Sequence, residues 1–225
     1  MVKKARSSPR REEALSRDRI VEAAIELLDG DGEGSLTLRT LSERLATGPG
    51  AIYGHVANKS DLLTAACDTI VVRAVATAPG KTPQANLRAL ALAMFDAMDA
   101  HPWVGSALIQ SAGQMPMVRL LERIGQQLRA LRVPDDAQWA AASALLHYML
   151  GVGGQNAANA QFARARGADR SDFLDAVAAA WSRLDPAEYP FARSVAGQLR
   201  AHDDRVDFLA GIDLILRGLK SPRGR

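Results

Sequence analysis

The chain has 225 residues, of which 48% are hydrophobic and 24% charged, and its formal net charge is +3. That length fits one or two domains around a sizeable core, and no apolar run reaches the roughly 20 residues of a membrane-spanning helix. The opening MVKKARSSPRR lacks the apolar segment of a signal peptide. The single cysteine, Cys67, excludes an internal disulfide and suits a reducing cytoplasm, which is the expected location.

In chain order, a basic arm over residues 1–16 comes first. Through Arg11 it carries five basic residues and no acid. Such an arm either reaches a groove or backbone of nucleic acid or is a solvated tail. Ile20, Ala23, Ala24, Leu27 and Leu28 recur at helical spacing and predict an amphipathic helix over Arg17–Asp29. The glycines at 30, 32 and 34 end it. Thr37 suits the N-cap of a second helix, with Leu38, Leu41 and Leu45 on its inner face and Arg39, Ser42, Glu43 and Arg44 outward. Thr47-Gly48-Pro49-Gly50 breaks that helix, and Pro49, tolerated in a first turn, opens a third over about Pro49–His55. Asn58-Lys59-Ser60-Asp61 has the form of a capping box before a long helix over Asp61–Thr77. Within that helix Cys67 reads as a buried small apolar residue.

Beyond it the chain reads as helical almost throughout. Ala78-Pro79-Gly80 ends the long helix, and Thr82–Ala100 carries the stripe Leu87, Leu90, Ala91, Met94 and Met98. His101-Pro102 marks a boundary, because the residue before proline disfavours helix. Trp103–Gln110 is a short apolar helix, Pro116–Leu131 the next, and Arg132-Val133-Pro134 its end. Asp135 or Asp136 caps a helix to about Phe162. Arg164–Arg170 reads as a polar loop, Asp172–Leu184 as a helix, and the stretch from Asp185-Pro186 through Tyr189-Pro190 as irregular. Asp204–Leu219 is the last helix, before a basic tail at Lys220–Arg225. β-Branched residues never alternate over a strand's length. The expected fold class is therefore all-α: a three-helix helix-turn-helix domain over 17–63 and a larger helical bundle over 64–220 that dimerises.

Two short helices joined by a tight break place one helix in the major groove of DNA. The third helix is too short to be stable alone, and Gly50 and Gly54 weaken it by roughly 1 kcal/mol each relative to alanine. Packing of Ile52 and Val56 must hold it. Gly50, Ala51, Tyr53 and His55 are then left outward. Small residues let the helix approach base edges, and Tyr53, His55 and Lys59 can donate to phosphates. The alternative is a plain helical hairpin with a satisfied tyrosine and a surface histidine. A helix selected only for stability would not crowd these residues onto a glycine-bearing segment.

The Leu36–Leu41 start, the Ile52-Tyr53-x-His55-Val56 core and Asn58-Lys59-x-x-Leu62-Leu63 resemble the DNA-binding domain of the TetR family of bacterial repressors. The resemblance spans about Arg17–Ala66. It implies that Thr37 and Arg39 touch backbone or bases, that Pro49, Gly50 and Ala51 face bases, and that Tyr53, His55 and Lys59 bind phosphates. Ala46-Thr47 replaces the frequent Gly-Val turn of the family, and Gly54 replaces a bulky residue. His101-Pro102-Trp103, with Leu209, Gly211, Asp213 and Gly218, is similar to the C-terminal domain of the tetracycline-repressor branch. The antibiotic and magnesium ligands of that branch have no match here.

The last helix carries a broad stripe of Phe208, Leu209, Ile212, Ile215, Leu216 and Leu219, and Ala140–Ala160 is rich in small residues around Gly151, Gly153 and Gly154. Glycines there permit close helix approach. These two helices are expected to form half of a four-helix interface across a two-fold axis, the alternative being an internal core. A homodimer suits a symmetric double-stranded DNA operator, and the resemblance implies the same arrangement.

Soft and aromatic residues amid alanine, with polar residues at positions expected to be partly buried, predict a pocket for a small apolar effector. The ligand-binding candidates are Met94, Met98, Trp103, Gln110, Gln127, Trp139, His147, Gln155 and Trp181. No cofactor, metal site or catalytic residue is expected. The four histidines, His55, His101, His147 and His202, lack metal-ligand spacing, and there is no phosphate loop or nucleophile elbow. His202-Asp203-Asp204 reads as a helix cap. Two other functions compete: an all-helical enzyme or ligand carrier whose N-terminal hairpin mediates protein contacts, and a non-specific nucleoid protein, which predicts a more basic surface.

Overall fold

The computed structural model describes residues 15–76, 80–167 and 170–219. Most of the basic arm, Ala78-Pro79 and the basic tail lie outside the described residues. Among those described, every regular element is a helix, in keeping with the all-α expectation. Contacts divide the chain between Leu62 and Leu63 into two units, which are taken separately.

The first unit holds α1 (Arg17–Asp31), α2 (Leu38–Arg44), α3 (Pro49–Tyr53) and the start of α4 (Lys59–Val75). Ser16 caps α1, its Oγ accepting the Arg19 amide at 3.3 Å. Thr37 caps α2 in a reciprocal box: its Oγ1 accepts the Thr40 amide and its own amide donates to Thr40 Oγ1, both at 3.1 Å. Ile20, Ala24, Leu41 and Ile52 are wholly buried. Complete burial of a side chain such as leucine or isoleucine is worth about 1.5–3 kcal/mol. Ser42 departs from its expected outward position. It is buried, and its hydroxyl donates to the Leu38 carbonyl at 2.6 Å, so its own helix satisfies it.

The second unit continues α4 and adds α5 (Pro83–Ala100), α6 (Val104–Gln110), α7 (Met115–Ala130), α8 (Asp135–Arg166), α9 (Arg170–Ser182), α10 (Pro190–Val195), a 3-10 helix (Ala196–Ala201) and α11 (Asp204–Gly218). Helices α5 and α8 are central: each packs on the other and on α6, α7 and α11. Leu87, Met94 and Met98 of α5, Leu120 and Ile124 of α7, Leu145 and Met149 of α8 and Ile212 of α11 are wholly buried. The stripe on α11 divides: Phe208, Ile212 and Leu216 enter this core, while Leu209, Ile215 and Leu219 are half-buried.

Two expectations are corrected here. The polar loop at Arg164–Arg170 begins later, because alanine and arginine are strong helix formers and α8 runs on to Arg166. Gly167, at φ 61°, then takes the left-handed conformation that ends it. The irregular stretch after Asp185 contains α10 and the 3-10 helix. Pro190 starts α10 with a fixed φ and no amide to satisfy. Arg193 Nη1 donates to the carbonyls of Ser182 and Leu184 at 2.6 and 2.5 Å, tying α10 to the end of α9. Sequence periodicity carries no trace of that bond.

The glycines mark close approaches within the chain. Tyr148 of α8 donates to the Phe208 carbonyl at 3.2 Å and stacks on the Phe208 ring at 5.6 Å. Phe208 in turn meets Phe95 at 4.8 Å. A Cβ at Gly211 would lie 1.9 Å from Tyr148 Oη and 2.3 Å from its Cζ, and one at Gly153 would lie 2.1 Å from Met98 Cε. Gly211→Ala must displace the rigid Tyr148 ring, with an expected loss of roughly 1–3 kcal/mol in urea denaturation. Gly153→Ala costs less, because the obstructing atom is the end of a flexible methionine. Equal losses in the two variants would refute this account of the α8–α11 contact.

Candidate nucleic-acid interface

Helix α3 has only five residues, and Gly48 before it offers no side-chain cap. Ile52 and Val56 hold it by burial at 0% and 2% exposure. All eight predicted DNA-contacting residues, Thr37, Arg39, Pro49, Gly50, Ala51, Tyr53, His55 and Lys59, are exposed. An open cleft of about 820 Å³ between α2 and α3 brings Arg39, Pro49 and Tyr53 together with Glu43. Arg39 Nε donates to Glu43 Oε1 at 3.0 Å. This pair is 88% and 64% exposed, and pairs of that kind contribute only about 0.3–0.5 kcal/mol, so a phosphate or base edge can replace it. Lys59 lies apart from the cleft residues and donates from Nζ to the Glu33 carbonyl at 2.7 Å.

The break between α2 and α3 is a Schellman turn. The Thr47 amide donates to the Ser42 carbonyl at 3.0 Å and the Ala46 amide to that of Glu43 at 3.3 Å. Ala46 sits at φ 50°, where a side chain is strained by about 1–2 kcal/mol. This is the position at which the chain departs from a Gly-Val turn. Ala46→Gly is therefore expected to stabilise the first unit by about 1 kcal/mol, read as a raised melting temperature. A lowered one would show that the turn does not govern this strain.

Arg17 and Asp61 were not anticipated as site residues. Arg17 Nη2 donates to Asp61 Oδ1 at 2.9 Å, and Arg17 Nη1 donates to the His55 carbonyl at 2.6 Å and to Asp61 Oδ2 at 3.4 Å. Asp61 Oδ2 also accepts the Ala57 amide at 3.0 Å, and the Asp61 amide donates to Asn58 Oδ1 at 2.9 Å. The sequence held no specific signal for the pair, since Arg17 shares its first turn with Asp18 and Arg19 and Asp61 reads as part of a cap. Hydrogen bonding to Asp61 raises the Arg17 pKa, and the Arg17 guanidinium followed by the Ala57 amide holds the Asp61 carboxyl below its usual value. The stability that Asp61 contributes is thus present above its ordinary value of 3.8 and lost as pH falls through the lower folded value. Wild type should exceed Asp61→Asn in stability of the first unit at neutral pH, and the gap should close in acid, as followed by amide signals. A pH-independent gap would remove the carboxylate as its cause.

The nine ligand-binding candidates of the second unit do not converge. Met94, Met98 and Trp103 are sealed in the core. Gln127 is half-buried and accepts from Asn86 Nδ2 at 2.9 Å. Gln110, Trp139, His147, Gln155 and Trp181 are exposed, Trp139 by 72%. The expected partial burial of Gln110, His147 and Gln155 is thereby corrected. Apolar residues surround α8 on every side, so its pattern does not say which face turns inward. Burial, with Asp68 nearby, pushes the Cys67 thiol up to about 12, leaving it unreactive. Asp203 caps α11, accepting the Arg205 and Val206 amides at 3.0 Å. Among the described residues no group of three or more His, Cys, Asp or Glu is placed to hold a metal ion.

Comparison with known proteins gives a consistent answer. Residues 20–66 match the family described as bacterial regulatory proteins, tetR family. Residues 76–222 match the tetracyclin repressor-like C-terminal domain. The chain is similar to the transcriptional regulator SCO7222, a TetR from Streptomyces coelicolor, with 51% identity and a TM-score of 0.84, covering 92% of this chain and 98% of that one. Its fold is also similar to that of the Streptomyces coelicolor TetR family protein ActR in complex with actinorhodin, at 22% identity and a TM-score of 0.76, over 92% and 96% of the two chains. It is 24% identical over 221 residues to the HTH-type transcriptional repressor DrrR1 of Streptomyces coeruleorubidus, or 92% of this chain and 77% of that protein. A match of 41% identity over 68 residues to an HTH-type transcriptional regulator of Saccharopolyspora erythraea covers 30% of this chain and 27% of that protein. With both halves of the chain matched, and a relative of half-identical sequence matched over nearly its whole length, the chain belongs to the TetR family of DNA-binding transcriptional regulators.

Proposed function

We propose that the protein is a repressor that binds a palindromic operator as a homodimer and is released by a small apolar effector. The exposure of all eight predicted contact residues around a short helix whose apolar anchors are Ile52 and Val56 carries this reading. Pro49, Gly50 and Ala51 allow close approach to base edges. Thr37 and Arg39 reach backbone or bases, and Tyr53, His55 and Lys59 donate to phosphates. One helix this short reads few base pairs, so two copies are required.

The second copy is assigned to α8 and α11. Ala140, Ala144, His147, Gly151, Gln155 and Ala158 form one exposed line along α8, at steps of three and four residues. Leu214 of α11 is 63% exposed. Pairing of α8 and α11 with the same helices of a partner would bury this surface as a four-helix arrangement. His147 and Gln155 then belong to the dimer face rather than to the effector.

The effector is assigned to the methionine-rich interior around Met94, Met98 and Trp103, which a ligand has to open. Methionines adapt to an inserted apolar ligand, and the solved complex of ActR with actinorhodin supports a small-molecule effector. Helix α4 begins in the DNA-binding unit and continues into the other, so a ligand that displaces it changes the spacing of two recognition helices. Full release requires a preference of about 5 kcal/mol for the non-binding conformation.

Selection of sites from random duplex DNA by the purified protein tests the reading. A palindrome with half-sites about one helical turn apart is expected. Absence of enrichment at moderate salt would overturn it, and enrichment of a single half-site would overturn the dimer.

A further inference from the structure

We propose that Arg17 and Asp61 form a clamp that positions the recognition helix α3 for DNA, acting through the His55 carbonyl rather than by touching DNA. The proposal rests on the DNA-binding role of α3. That helix is held from within by two apolar side chains, Ile52 and Val56, about one turn apart. Apolar contacts are non-directional. They fix the depth of the helix more firmly than its tilt. His55, two residues beyond the last residue of α3, presents its carbonyl in the turn that leads to α4.

Arg17 supplies a directional bond there. One arm of its guanidinium takes the His55 carbonyl at 2.6 Å, and the other takes Asp61 Oδ1 at 2.9 Å. Asp61 is itself fixed in the first turn of α4 by the Ala57 amide and by its own amide on Asn58 Oδ1. A single side chain thus ties the first turn of α1, the end of α3 and the start of α4. Only a planar fork with several donors does this, and lysine has no such geometry. Bonds to the His55 carbonyl and to the Asp61 carboxylate together occupy the guanidinium, which makes Arg17 a poor phosphate contact.

The experiment compares full-length Arg17→Gln, Arg17→Lys and Asp61→Asn with Lys59→Ala, a plain phosphate-contact variant. The first readout needs no DNA. The amides of His55 and Val56 bond to the Ile52 carbonyl at 2.9 and 3.1 Å, and their hydrogen exchange should accelerate several-fold in all three clamp variants, with the Ile25 amide of α1 unchanged. The second readout is affinity for a duplex selected by the wild-type protein. It should fall about tenfold or more in the clamp variants, with the slope of log K against log salt unchanged, whereas Lys59→Ala should reduce that slope by about one.

A reduced salt slope in Arg17→Gln would make Arg17 a phosphate contact and overturn the proposal. So would wild-type exchange and affinity in Arg17→Lys, since charge alone would then suffice. If Arg17→Gln fails to fold, the isosteric Asp61→Asn carries both readouts. If the wild-type protein selects no duplex, the DNA-binding reading fails while the exchange result still decides whether the clamp holds α3.

Discussion

Five residues, Pro49–Tyr53, are too few to hold a helix in water, and the organisation of the first unit answers that constraint. The outer residues of that helix, Pro49, Gly50 and Ala51, are small and exposed and contribute little packing of their own. Stability has to come from outside the helix. Ile52 and Val56 are buried, as are Ile20, Ala24, Leu28 and Leu41 of α1 and α2. The Schellman turn at Ala46 sets the angle at which α3 leaves α2. Arg17 closes the far end. The strained backbone at Ala46 is unfavourable locally and lies where the chain turns into α3.

The second unit solves a different problem, that of packing a long helix that is apolar on every side. Its order comes from shape. Gly211 lets α11 pass over Tyr148, Gly153 leaves room for Met98, and Phe208 stacks between Tyr148 and Phe95. Ion pairs link α5 to α11 as well, from Arg88 to Asp213 and from Arg205 to Asp96, the latter through two bonds of 3.0 Å. Both are substantially exposed, and such pairs contribute about 0–1 kcal/mol. They select the register of α11 on α5 more than they stabilise it.

Much of this architecture was legible in the sequence because it depends on local chemistry. Thr37, Asn58 and Asp203 each accept an amide at the start of a helix, as their side chains dictate. The periodicity of α1, α5 and α7 names their buried faces. The outward positions of Pro49, Gly50, Ala51, Tyr53 and His55 were legible too, because small and hydrogen-bonding residues on a weak helix conflict with stability alone. What was not legible depends on partners far away in sequence. Arg17 meets residues 38 and 44 positions distant, and Arg193 turns an apparently irregular stretch into a helix docked on α9.

Sequence alone determined the all-α class, the helix-turn-helix, its caps and the residues on its outer face, since these follow from side-chain type at spacings of three or four. The tertiary structure decided which side of α8 turns inward, where Gln110, His147, Gln155 and Trp139 end up, and what Gly153 and Gly211 are for. An amphipathic helix announces its buried face by where its polar residues lie. A helix apolar all round leaves that choice to the shapes of its neighbours, and shape complementarity exists only once the chain has folded.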